Sequence, residues 1–189
     1  MKAESGPAVF LDRDGTLIED RGHLRISSEV VFFPETVSAL RRLQACFRLF
    51  IVTHQPGIAE GIVSAGEVAH VNEHVVGVLR DGGVDIVAVY CCPHRRDQGC
   101  VCIKPKPYFL LQAADIHGVD LRRSFVVGDH PHDVELAVNA GATGVYVLTG
   151  HGARHQAELG AGHKIASGIR EAVEWILAFR ETQVRECSG

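Results

Sequence analysis

The sequence holds no apolar run approaching the length of a membrane span. Residues Met1 to Pro7 lack the apolar core of a secretory signal. Internal repeats, low-complexity tracts and linkers are also missing. Positive charge is not in excess: 19 Lys and Arg stand against 23 Asp and Glu, a net charge of −4. A nucleic-acid binder usually carries a basic footprint, so that class is disfavoured. The length and these absences predict a single domain over residues 1–189, cytoplasmic, with neither a membrane nor a nucleic acid as partner; a monomer is expected. What remains is ordinary for a globular protein: 46% hydrophobic and 22% charged residues. Six cysteines are the exception. In a reducing compartment they call for an explanation other than disulfides.

The stretch Ala8-Val9-Phe10-Leu11-Asp12-Arg13-Asp14-Gly15-Thr16 organises the rest. Four apolar residues predict a short strand buried on both faces, as in a parallel sheet. Asp12 and Asp14 fall where it ends. In extended backbone, side chains at i and i+2 leave on one side, so both carboxylates can aim at one point. Gly15 permits a sharp turn after them. Two carboxylates delivered together are costly unless a cation or a shared proton offsets them.

Strand and helix signals then alternate. Strands are predicted at Ala8–Leu11, Leu49–Thr53, Val84–Tyr90, Ser124–Gly128 and Val145–Leu148. Helical spacing appears in Val37, Leu40 and Leu43, and again in Val68, Val71, Val75 and Val78/Leu79. Pro131–Ala140 carries Pro near its start and Gly141 just past its end. A last amphipathic helix is predicted around Ala172, Val173, Ile176 and Leu177. This alternation predicts an α/β fold with a doubly wound, mostly parallel sheet. Ligands bind such sheets at the carboxyl ends of their strands.

Those ends carry chemistry. Thr53 follows the second strand and can offer a hydroxyl to a phosphate oxygen. His54 beside it suits a structural or substrate-contacting role. After the third strand, Cys92, His94, Cys100 and Cys102 form C-x-H-x5-C-x-C. Three thiolates and an imidazole suit a closed, structural tetrahedral Zn²⁺ site, with a redox site as the alternative. Cys46, Cys91 and Cys187 read as free thiols. Lys104, just beyond the last of these ligands, is favoured over Lys106 as a site lysine. Asp129 follows the fourth strand, and Asp133 stands at the next helix start, where a plain cap is the alternative. The loop Asp20-Arg21-Gly22-His23-Leu24 reads equally as a polar turn or a site loop. His151, His155 and His163 read as a polar surface segment, with metal binding as the alternative. Asp12, Asp14, Thr53, Lys104 and Asp129 at one sheet edge make a site for Mg²⁺ and a phosphate.

The segments F-L-D-R-D-G-T-L, V-T-x-Q-x-G-I-A, C-P-H…C-x-C-x-K-P and V-G-D…D resemble the haloacid dehalogenase superfamily over about residues 8–150. The resemblance is closest to the heptose-1,7-bisphosphate 7-phosphatase and histidinol-phosphatase group. It implies a Rossmann-like core with no large cap and a zinc-binding loop. It also implies a Mg²⁺-dependent phosphatase acting on a small phosphorylated sugar, with histidinol phosphate as another substrate of that class. Asp12 would be the nucleophile and would form an aspartyl-phosphate. Asp14 would act as general acid and base. Asp12, the backbone carbonyl of Asp14, and Asp129 would hold Mg²⁺. Thr53 and Lys104 would stabilise the transferring phosphoryl group, with Asp133 orienting Lys104.

The chain departs from that group at substrate contacts. Ile103 stands where the group has an arginine, and T-H-Q-P-G replaces T-N-Q-S-G, bringing His54 next to Gln55. The loop Asp20-Arg21-Gly22-His23 matches the usual D-H-G-Y only at Asp20 and Gly22. Arg21 is expected to replace the missing arginine. A catalytically silent binding module is the reading from a different class, and retention of both Asp12 and Asp14 argues against it.

Overall fold

The computed structural model describes residues 6–186; Cys187 lies outside them. Six parallel strands form one sheet in the order β3-β2-β1-β4-β5-β6. In chain order they are β1 (Ala8–Leu11), β2 (Arg48–His54), β3 (Ile86–Cys92), β4 (Phe125–Gly128), β5 (Thr143–Val147) and β6 (Lys164–Ala166). The helices are α1 (Thr36–Leu43), α2 (Ala65–Asp81), α3 (Tyr108–His117), α4 (Pro131–Ala140), α5 (Gly152–His155) and α6 (Ile169–Glu186). No described helix is long and apolar enough to cross a membrane.

The period-two geometry of the strands divides the core. Val9 and Leu11 of β1 point to one face, with Leu40 and Leu43 of α1, Val71 and Val75 of α2, and Ala172, Val173 and Ile176 of α6. Ala8 and Phe10 point to the other, with Leu110 and Ala113 of α3 and Leu136 and Ala137 of α4. All four β1 side chains are buried, as their uninterrupted apolar run predicts.

The chain winds outward from β1 in one direction through β2 and β3, and in the other through β4, β5 and β6. β1 and β4 therefore flank the switch point, where a doubly wound sheet leaves a crevice at its carboxyl edge. Among the described residues, the segments after β1 and β3 carry single 3-10 turns and no cap.

Four elements differ from the sequence expectation. β3 starts and ends two residues later than predicted, because its ladder with β2 continues to the pair His54 and Cys92. Cys92 is thus a strand residue rather than a loop residue. β6 and α5 were not predicted, being three and four residues long, too short to show a period. α3 was not predicted either, since Phe109, Leu110 and Leu111 run consecutively and blur its helical spacing.

Candidate active site

β1, β2 and β4 deliver Asp12, Thr53 and Asp129 to one cavity, which Asp14, Lys104 and Asp133 also line. The Asp12 N–H donates to the Val127 carbonyl, fixing the end of β1 against β4 at 2.9 Å. Lys104 Nζ lies 2.5 Å from Asp12 Oδ1 and 2.7 Å from Asp133 Oδ1. Asp133 is the N3 residue of α4, and its Oδ2 accepts the His130 N–H. Asp129 Oδ2 accepts the His151 N–H at 2.7 Å.

Two glycines make room for this packing. Gly15 has φ +79°, and a Cβ on it would overlap the Asp129 carboxylate. A Cβ on Gly128 would overlap Asp133.

Electrostatics mark the cluster as a cation site. Oxygens of Asp12, Asp129 and Asp133 lie within 4.8 Å of one another. Burial pushes the Asp12 carboxyl well above its usual range, and Lys104 opposes this. Burial pushes Asp129 up to about 6, opposed by the His151 N–H. Burial alone would pull the Lys104 ammonium down, but Asp12 and Asp133 more than offset it and hold the charge. One ammonium faces three carboxylates. Among the described residues, neither Asp12 Oδ2 nor Asp129 Oδ1 accepts a hydrogen bond. A hard divalent cation with oxygen ligands, such as Mg²⁺, fits those two free oxygens.

Asp14 does not join that carboxylate group. Its side chain turns to the buried Arg13, whose Nε and Nη2 donate to it at 3.0 Å each. Arg13 Nη1 donates to Asn72 of α2, and Gln55 Nε2 donates to Asp14 Oδ2 at 2.8 Å. Thr53 Oγ1 lies 3.5 Å from the same oxygen.

A second cluster lies beside the cavity. The sulfurs of Cys92, Cys100 and Cys102 are 3.4 to 3.7 Å apart. His94 Nδ1 lies 3.3 Å from Cys102 Sγ and 3.8 Å from Cys92 Sγ. A tetrahedron with Zn–S bonds of about 2.3 Å has edges of about 3.8 Å, so the set has the size zinc requires. Burial pushes the Cys92 and Cys102 thiols up, a cost that a coordinated cation removes by deprotonating them. Lys106 Nζ donates to the Cys100 carbonyl at 2.7 Å, bracing the loop.

The remaining sequence-predicted contacts divide. Asp20 and His54 line the cavity. His54 Nε2 lies 2.7 Å from the His94 carbonyl, tying β2 to the Cys/His loop. Gln55 serves Asp14 and Thr53 from below. His23 packs against Gly57, and the Gly22 N–H donates to Asp20. Arg21 pairs with Glu19 on the surface, 2.7 Å away. Ile103 is buried against Cys92 and Cys102. Arg21, Gly22, His23, Gln55 and Ile103 do not line the cavity.

Residues 101–172 match the family model described as HAD-hydrolase-like. A D-glycero-beta-D-manno-heptose-1,7-bisphosphate 7-phosphatase of Escherichia coli K12 is 37% identical over 184 residues, 93% of this chain and 90% of the relative. The chain belongs to the haloacid dehalogenase-like family, in its heptose bisphosphate phosphatase group. The Yersinia pestis relative of the same name is 38% identical over 157 residues, 78% of this chain and 83% of that one. A D,D-heptose 1,7-bisphosphate phosphatase from B. bronchiseptica, solved with magnesium and phosphate, superposes with a TM-score of 0.84. It is 29% identical, and the match covers 91% of this chain and 98% of that one. As a member of this family the protein is a phosphoric monoester hydrolase.

In this member of the family, the sequence reading missed four cavity groups: Arg96, His130, His132 and His151. His151 also reaches Asp20, with Nε2 2.9 Å from its carboxylate. The three histidine positions carried a faint signal, since each lies within a few residues of a strand end. Arg96 carried none, being one of two adjacent arginines in a polar loop.

Proposed function

We propose that the protein is a Mg²⁺-dependent phosphatase that removes the 7-phosphate of D-glycero-D-manno-heptose 1,7-bisphosphate through an aspartyl-phosphate on Asp12. The relatives' names supply the substrate. One observation carries the chemistry: Asp12 stands at the end of the central strand, its Oδ1 held by Lys104 and its Oδ2 free.

Asp12, the Asp14 carbonyl and Asp129 would hold Mg²⁺, which would offset the charge on the phosphoryl oxygens. An Asp12 oxygen attacks phosphorus, and the bond from phosphorus to the sugar oxygen breaks. Asp14 gives its proton to the departing alkoxide. A water then attacks the aspartyl-phosphate, Asp14 takes a proton from it, and the bond from phosphorus to Asp12 breaks. Lys104 steadies charge on the phosphoryl group throughout, with Asp133 fixing its position, and Thr53 offers its hydroxyl to the same oxygens. Arg13 and Gln55 hold Asp14 at the cavity wall, and Asn72 fixes Arg13 in turn.

Zn²⁺ on Cys92, His94, Cys100 and Cys102 would be structural, since four protein ligands leave no open position.

The experiment is phosphate release with and without Mg²⁺, over both heptose 1,7-bisphosphate anomers, fructose 1,6-bisphosphate and histidinol phosphate. Preference for a heptose bisphosphate supports the reading. Asp12→Asn should reduce release to background; turnover by that variant would sink the nucleophile assignment.

A further inference from the structure

Two of the residues lining the cavity carry a permanent positive charge, Lys104 and Arg96. Lys104 is committed to Asp12 and Asp133 and therefore serves the phosphate under attack. Arg96 has no such commitment. It lies in the single turn Arg96–Gln98 of the Cys/His loop, between ligand candidates His94 and Cys100. Its neighbours satisfy one another: Arg95 forks onto Asp97 at 2.9 Å, and the Gln98 side chain accepts the Arg95 N–H. Among the described residues Arg96 has no ion-pair partner, and it lines the cavity and is exposed to solvent.

The surroundings point to an anion. Arg96 is close enough to His54, His130 and His132 for its charge to lower the protonation of each. Those imidazoles line the same cavity and bring ring nitrogens to it. His54 has its Nε2 engaged with the His94 carbonyl, which leaves Nδ1 as an acceptor for a hydroxyl. A planar guanidinium beside imidazole nitrogens is a phosphate or carboxylate fork next to a wall that can hydrogen-bond substrate hydroxyls. Arg21 cannot fill this place, being held by Glu19 away from the cavity.

We propose that Arg96 is the specificity-determining residue that recognises a second anionic group on the substrate, at the end opposite the ester being cleaved. This rests on the phosphatase reading above and deepens it. The chain selects bisphosphates over monophosphates through a side chain mounted on the Cys/His loop, and catalysis proceeds from the opposite wall.

The test is the ratio of KM values for a monophosphate and a bisphosphate on the same protein, with sugar monophosphates of matched length as the comparison. Wild type should prefer the bisphosphate at least tenfold. Arg96→Gln should collapse that preference to within about threefold, and Arg96→Lys should restore part of it, having charge without the fork. Arg21→Gln should keep the wild-type ratio. An Arg96→Gln ratio equal to wild type overturns the proposal, as does a collapse in Arg21→Gln instead. Wild type that cleaves both substrates in Mg²⁺ without preference overturns it too, while leaving the phosphatase reading intact. Wild type that cleaves neither overturns both.

Discussion

Arg13 is the largest fully buried side chain in the molecule, and it stands between the two aspartates of the first motif. Its guanidinium joins Asp14 to Asn72, so one side chain couples the acid–base group to helix α2. Truncating it leaves a largely buried carboxylate short of its cation. Arg13→Ala should therefore cost roughly 3 kcal/mol in urea unfolding. With Asp14 no longer held, kcat should fall more than KM changes. A variant of unchanged stability would mean that Asp14 finds another partner in Thr53 and Gln55. Spacing alone put Asp12, Thr53 and Asp129 at apolar strand ends and Lys104 just past the last cysteine of the Cys/His loop, and all four line the cavity. It did not reveal that Asp14 turns away from the carboxylate group, since that depends on Asn72, 59 positions along the chain. Nor could it show Ile103 packed against sulfur, as one isoleucine in a polar loop has no periodic context.

At the scale of elements, the Cys/His loop is a brace whose regular structure past β3 is the single turn Arg96–Gln98. It links β3, through Cys92, to Lys104, two residues past its last sulfur. Chelator treatment of the protein as purified should lower Tm by several degrees and increase proteolysis between residues 93 and 107, as a structural zinc site requires. Cys100→Ser should reproduce both effects, and an unchanged Tm after complete chelation would argue against a metal there. α6 carries a separate device. Glu171 reaches back to the Ser167 N–H at 2.8 Å and to Lys164 at 3.0 Å. These bonds hold its carboxyl down to about 2, against an ordinary 4.5. The folded-state value is depressed, so the stabilisation is complete above pH 4.5 and is lost as pH falls from there toward 2. Glu171→Gln should lose roughly 0.5 kcal/mol at pH 7, modest because the carboxylate is partly exposed. The variant and wild type should converge in stability near pH 2. Five strands and four helices were legible because their apolar residues repeat. The three-residue β6 and the four-residue α5 offered too few turns of any period.

The whole molecule gathers three carboxylates around one ammonium and so stores repulsion that a divalent ion relieves. Mg²⁺ at about a hundred times its Kd should add about 2.7 kcal/mol of stability. For a chain of this size that is a rise in Tm of roughly 5–10 °C. Asp129→Asn should abolish the shift, and a Tm indifferent to Mg²⁺ in wild type would count against the cation site.

β1 lies at the centre of the sheet although it is the first strand in the chain, and its two neighbours are β2 and β4. A nascent polypeptide emerging from the ribosome therefore displays Asp12 long before it can hold it. The Lys104 ammonium arrives next, and the other two carboxylates of the cluster arrive at 129 and 133. Until residues 125–127 have emerged, its central strand has one edge unpaired. A translational pause before residue 125 leaves an apolar ribbon for chaperones to shield.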